Sequence, residues 1–142
     1  MVVGYTTGVF DLFHVGHVRL LKNAKSLCDK LIVGVTSDEL VAYKKKKSVI
    51  PFEERIEIVS ACKYVDLAVP QMNMDKLDAH DRYSFNVMFV GDDWYKTDKW
   101  KSFEKEFKKR NVDIVYFPYT KTTSSTLINK TLLKLREEDW LI

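Results

Sequence analysis

Cysteine is scarce in this chain: Cys28 and Cys62 are the only two among 142 residues. Each lies in an apolar helical pattern. That argues against a disulfide framework or a cysteine metal site, and two buried free thiols are expected. Long apolar runs are missing too. None approaches the length that crosses a bilayer, and no charged-then-apolar segment opens the chain, so membrane insertion is not expected. The first strand is expected almost at Met1 with nothing missing upstream, and a cytoplasmic protein is the simple expectation. Repeats, low-complexity segments and linkers are absent. A strong excess of one charge is also lacking, since the net charge is only +3. Such a balance suits small anionic substrates and is too weak to argue for nucleic acid.

What remains is a globular composition, 46% apolar and 30% charged. The length points to one domain, residues 1–142, with room for a core. Strand-type apolar runs alternate with longer helical patterns. Strands are expected at Val2–Thr6, Lys30–Thr36, Leu67–Val69, Val87–Val90 and Asp113–Phe117. Helices are expected at His17–Leu27, Ser37–Tyr43, Pro51–Cys62, Met74–Arg82, Lys99–Arg110 and Ser124–Glu137. Pro51 with Glu53 and Glu54 makes a credible helix start. The alternation predicts an α/β, Rossmann-like single domain: a parallel sheet of about five strands with helices on both faces.

In open α/β sheets, ligands bind beyond the carboxyl ends of the strands. Four polar segments are expected there: Gly8–His17, Thr36–Asp38, Gly91–Trp94 and Pro118–Thr126. The first is the most informative. His14 and His17 sit three apart around Gly16, at a strand-to-helix junction. A helix N-terminus carries unsatisfied N–H groups and a partial positive charge, which suits phosphate. Two imidazoles placed there can donate hydrogen bonds to phosphoryl oxygens as charge builds. A zinc site is disfavoured, because no third or fourth ligand of suitable type lies nearby in sequence.

The run Gly8-Val9-Phe10-Asp11-Leu12-Phe13-His14-Val15-Gly16-His17 closely resembles the HxGH signature of the nucleotidyltransferase superfamily. Lys63-Tyr64-Val65-Asp66 resembles the Arg-Tyr-Val-Asp segment of its cytidylyltransferase branch. Gly91-Asp92-Asp93-Trp94 resembles the Gly-Asp-Asp-Trp segment of bacterial glycerol-3-phosphate cytidylyltransferases. The resemblance implies transfer of CMP from CTP to glycerol 3-phosphate or a related alcohol phosphate. Pyrophosphate would leave and a CDP-alcohol would form. It also implies magnesium as cofactor, although no carboxylate cage is visible, and a homodimer with Val49 to Tyr64 in part of its interface. Neither nucleic acid nor membrane is expected as a partner.

The same resemblance distributes roles. His14 and His17 would be catalytic, donating to the triphosphate and to the transition state, and Lys46 joins them from the basic loop Lys44–Lys47. Gly8, Val9, Phe10, Asp11, Gly16 and Lys44 would form the nucleotide site, with backbone N–H groups near Val9 and Phe10 and the Lys44 ammonium on the phosphates, and Asp11 orienting this segment or a metal-bound water. Asp92, Asp93 and Trp94 would contact its cytosine or ribose. Asp38 could do similar work. Arg55, Lys63 and Lys121 fall to the acceptor side, while Asp66 would anchor the loop before the third strand. Thr120, Ser124, Ser125 and Thr126 keep hydroxyls ahead of the last helix, where they can cap it and bind phosphate. This chain departs from the family at three places. Lys63 replaces an arginine, Met74 stands where a tryptophan is usual, and Tyr119–Thr126 lacks the family's arginine and glycine. Two other readings stay open: an adenylyltransferase acting on a phosphorylated cofactor precursor, and a nucleotide-binding protein that has lost acceptor chemistry.

Overall fold

Strand and helix alternate along the chain as the hydrophobic pattern requires. The computed structural model describes residues 1–43, 46–91, 95, 97–118, 128, 130, 131, 133 and 134. Their order is β1 (Val3–Gly8), α1 (Val15–Ser26), β2 (Lys30–Thr36), α2 (Asp38–Tyr43), α3 (Phe52–Ala61), β3 (Leu67–Gln71), α4 (Lys76–Tyr83), β4 (Val87–Gly91), α5 (Asp98–Lys109) and β5 (Asp113–Phe117). Of the expected last helix, Ile128, Lys130, Thr131, Leu133 and Lys134 are described, and all five are helical.

The five strands form one parallel sheet in the order β3-β2-β1-β4-β5. The chain winds outward from β1 to β3, crosses back, and winds outward again through β4 and β5. The reversal falls between β1 and β4, the position at which this class of sheet opens a crevice at its carboxyl edge. β2 is buried at six of its seven positions, as a strand covered on both faces must be.

The two faces carry separate cores. Leu21 and Ala24 of α1 and Val59 of α3 pack with Leu31, Val33, Val35, Val87 and Phe89. On the other face, Tyr5, Ile32, Val69, Met88 and Val90 pack against Phe85, Trp100 and Phe107. The alternation of side chains along each strand divides the residues this way.

β1, β3 and β4 run one or two residues past the sequence expectation at their carboxyl ends. Pro70 belongs to β3 although proline usually stops a strand. It is tolerated because β3 is a sheet edge, where a missing N–H breaks no ladder. α1 starts two residues earlier than expected and α4 two residues later, each fixed by its capping residue: His14 and Asp75 respectively. Pro51 caps α3 from just outside it. Cys28 and Cys62 are free thiols, partly rather than wholly buried. Among the described residues, no helix is long and apolar enough to cross a membrane.

Candidate active site

Between β1 and α1 the backbone makes two unusual turns. Phe10 (φ 55°) and Leu12 (φ 50°) both occupy the left-handed region, which costs a residue with a Cβ about 1–2 kcal/mol. Burial of the Phe10 ring, 4% exposed, offsets that cost. Gly8 makes room for it, since a Cβ on Gly8 would lie 2.9 Å from the ring. Strain held at a strand-to-helix loop is a mark of a functional segment.

The histidines close this loop by capping one another's helix end. The Gly16 N–H donates to His14 Nδ1 at 3.0 Å, and the His14 N–H donates to His17 Nδ1 at 3.2 Å. Two orphan donors at the start of α1 are satisfied in this way. The arrangement also fixes the tautomer. With Nδ1 accepting, the neutral ring carries its proton on Nε2. Neither Nε2 has a partner among the described residues, so each ring keeps one N–H to offer. The rings lie 4.0 Å apart between centroids, and His17 also packs against Phe10 and Phe13. Burial holds His17 down at about 4, helped by His14 beside it and opposed by Asp11. Burial lowers His14 as well. Both rings are therefore neutral N–H donors at neutral pH.

Arg55, wholly buried, ties the rim together. Its Nη1 donates to Val9 O (2.7 Å) and Thr36 O (2.8 Å), its Nε to Ile50 O (2.8 Å), and its Nη2 to Asp38 Oδ1 (2.6 Å). One guanidinium thus joins the ends of β1 and β2 to the start of α2 and to the segment before α3. This corrects the acceptor role expected of Arg55, which has no exposed surface with which to meet a ligand. Asp38 also accepts from Phe52 N–H and Ser48 Oγ. Those bonds, the Phe52 N–H foremost, hold its carboxyl below the usual range. Asp38 is therefore committed to the scaffold.

Asp11 accepts from the Val49 and Ile50 N–H groups at 2.8 and 2.9 Å. It fastens the far end of the basic loop to the histidine loop, and this is the clearest work its carboxylate does. Lys46 is exposed on that loop. The Gly16 N–H is spent on His14 Nδ1. Phe10 can offer a ligand only its backbone, because its side chain is core.

Lys63 is the second correction. Lys63–Asp66 precede β3, so in an all-parallel sheet they lie at the amino edge, opposite the histidines. Lys63 Nζ rests over the Tyr64 ring, 5.2 Å from its centroid. Asp66 accepts from Leu31 N–H and Lys25 Nζ at that same edge, an anchoring role. A strand of five residues puts roughly 17 Å between the two edges, so Lys63 does not reach this chain's own rim. Lys44, Asp92, Asp93, Trp94, Thr120, Lys121, Ser124, Ser125 and Thr126 lie outside the described residues.

Lys76 stands beside this rim, and sequence reasoning did not single it out. It opens α4 and is only 5% exposed. Its Nζ donates to Thr7 Oγ1 at 3.0 Å, one residue before the histidine loop begins. A signal was present in the sequence. A cation in the first turn opposes the helix dipole.

The family model described as cytidylyltransferase-like matches residues 5–134. The chain belongs to this cytidylyltransferase-like family. It is 37% identical over 131 residues to a glycerol-3-phosphate cytidylyltransferase of Bacillus spizizenii, covering 92% of this chain and 96% of that protein. It is 32% identical over 135 residues to an FAD synthase of Thermococcus kodakarensis, covering 92% and 89%. Among solved structures, a lipopolysaccharide core biosynthesis protein of Thermoplasma volcanium superposes with a TM-score of 0.72 at 26% identity, over 87% of this chain and 99% of that one. A cytidylyltransferase-like protein is a nucleotidyltransferase, and the neutral N–H pair at the end of β1 suits that chemistry.

Proposed function

We propose that the protein transfers CMP from CTP to glycerol 3-phosphate or a related polyol phosphate. The observation that carries the reading is the reciprocal cap of His14 and His17, which leaves two neutral Nε2–H donors beside the strained loop after β1. An oxygen of the acceptor phosphate attacks the α-phosphorus. The bond from that phosphorus to the bridging oxygen breaks, and pyrophosphate leaves with the electron pair. A new P–O–P bond joins CMP to the acceptor. The nucleophile is already an anion, so no strong base is needed. Catalysis rests on positioning and on stabilising charge.

The fold offers two sides for two anions. On the α1 side, His14, His17, the backbone of Gly8 to Asp11, and Lys46 with Lys44 would hold the triphosphate. On the α4 side, Lys76 brings a positive charge to the end of β1 and would hold the acceptor phosphate. Asp92–Trp94 are proposed for the nucleoside, and Thr120, Lys121, Ser124, Ser125 and Thr126 for the phosphates. Magnesium is proposed to arrive as the counter-ion of CTP, neutralising its oxygens. Among the described residues no cluster of three histidine, cysteine or acidic groups could hold a metal, and no step here depends on one. A homodimer is proposed on the α3 and β3 side, where Val49, Ile58 and Leu67 expose apolar surface.

The likeness to FAD synthase supports a second reading, adenylyl transfer to a phosphorylated cofactor precursor. Titration with CTP and with ATP, followed by a pyrophosphate-release screen of alcohol phosphates, separates the two. Tighter CTP binding and CTP-dependent release are expected. ATP-dependent release with a flavin phosphate, and none with CTP, would reverse the choice.

A further inference from the structure

An open hollow lies beside α4, lined by Tyr5, Gln71, Lys76, Arg82 and Tyr83 among others. It adjoins the Lys76–Thr7 contact, and so borders the end of β1 on the face opposite α1. Two of its walls are buried polar groups whose hydrogen-bonding capacity is only partly used.

Gln71 is 7% exposed. Its Oε1 accepts from Thr36 Oγ1 at 2.7 Å, which orients the carboxamide. The amide nitrogen then faces only Met74 Sδ, at 3.7 Å. A thioether is a weak acceptor, so an amide that could donate two good bonds makes one poor one. Tyr5 is 2% exposed, and its ring stacks on Phe85. Its hydroxyl lies over Gly34, where a Cβ would come within 2.7 Å of it. That hydroxyl has no hydrogen-bond partner among the described residues. The carboxylates around the hollow are already engaged. Asp75 caps α4, and Asp78 meets Asn73 and Arg82.

Every fully buried side-chain nitrogen and oxygen among the described residues has a partner, so the Tyr5 hydroxyl, which has none, is one that solvent in the hollow can reach. A hollow with an ammonium at its mouth and two under-used groups along its walls suits a small phosphate ester with hydroxyls on its carbon chain. Resting on the cytidylyl-transfer reading above, we infer that Gln71 and Tyr5 are the specificity residues for the acceptor's alcohol part. They bind its hydroxyls while Lys76 holds its phosphate.

The test compares glycerol 3-phosphate with propyl phosphate, which has the same phosphate and chain length but no hydroxyls. Tyr5→Phe removes only the phenolic oxygen and keeps the stacked ring. Gln71→Glu keeps an acceptor for Thr36 and deletes the N–H donors. Wild type should prefer glycerol 3-phosphate in kcat/KM. Each variant should lower that preference about three- to tenfold, through acceptor KM, with the KM for CTP unchanged. A preference unchanged in both variants, or an equal rise in the KM for CTP, overturns the inference. Calorimetry separates the inference from the reading beneath it. Glycerol 3-phosphate that binds wild type and weakens in Tyr5→Phe, without any CTP turnover, upholds the subsite and refutes cytidylyl transfer. CTP turnover that treats both acceptors alike upholds transfer and refutes the subsite.

Discussion

His14 and His17 each do two jobs with one ring. Nδ1 finishes the start of α1, and Nε2 is left for a ligand. Removing one should therefore affect rate and stability together. His17→Ala should lower kcat roughly 10²- to 10³-fold, the usual loss for one donor to a developing oxyanion. Stopped turnover with CTP and acceptor in excess measures it. The pH dependence follows from the lowered His17. The unfolded ring takes a proton near its ordinary value of 6.5, and the folded ring only near 4. Between those values the unfolded chain binds the extra proton, so this contribution to stability falls as pH drops through that window. Thermal midpoints from pH 7 to 4 should fall more steeply in wild type than in His17→Ala. Equal slopes would show that His17 is not held low. The identity of this pair was legible in the sequence, because three residues of spacing around a glycine at a strand end is a local pattern. Its tautomer was not, since that depends on which backbone N–H each ring meets.

Arg55 shows how an element can set a site without touching it. The guanidinium links the ends of β1 and β2 to α2 and to the segment before α3, and Asp11 fastens the end of the basic loop. Arg55→Lys keeps the charge but not the fork that makes four bonds at once. It should destabilise the fold by about 3 kcal/mol, a drop of roughly 10 °C in melting midpoint. Differential scanning calorimetry reads this directly, and a midpoint within a degree or two of wild type would contradict the strut. Strands and helices were legible because their periods of two and 3.6 residues are written locally. Arg55's role was not, because its partners, Val9 and Thr36, lie 46 and 19 residues away. The place of Lys63 was not legible for a related reason. A segment's motif can be read in sequence, but which edge of a parallel sheet it occupies follows only from the assembled topology. Lys76 was missed because its neighbour Thr7 is 69 residues distant.

At the scale of the molecule, the order β3-β2-β1-β4-β5 decides where chemistry can occur. It places one helix N-terminus on each face of the sheet at the end of β1: α1 with its neutral imidazoles, α4 with its ammonium. Under the proposed transfer, two anionic substrates would approach one another from opposite faces. The proposed dimer would use the exposed Val49, Ile58 and Leu67 on the α3 and β3 side, and Val49 would bring it close to that edge through the Asp11 contact. Ile58→Asp should convert a dimer to monomer in sedimentation or light scattering, and a wild-type mass of one chain would contradict the interface. The central claim is cytidylyl transfer itself, and its product gives the most direct test. Protein incubated with CTP, magnesium and glycerol 3-phosphate should yield a mixed diphosphate, seen by phosphorus NMR as a pair of coupled resonances, with stoichiometric pyrophosphate. Absence of that species with every polyol phosphate, while ATP and a flavin phosphate form a diphosphate, would contradict the account.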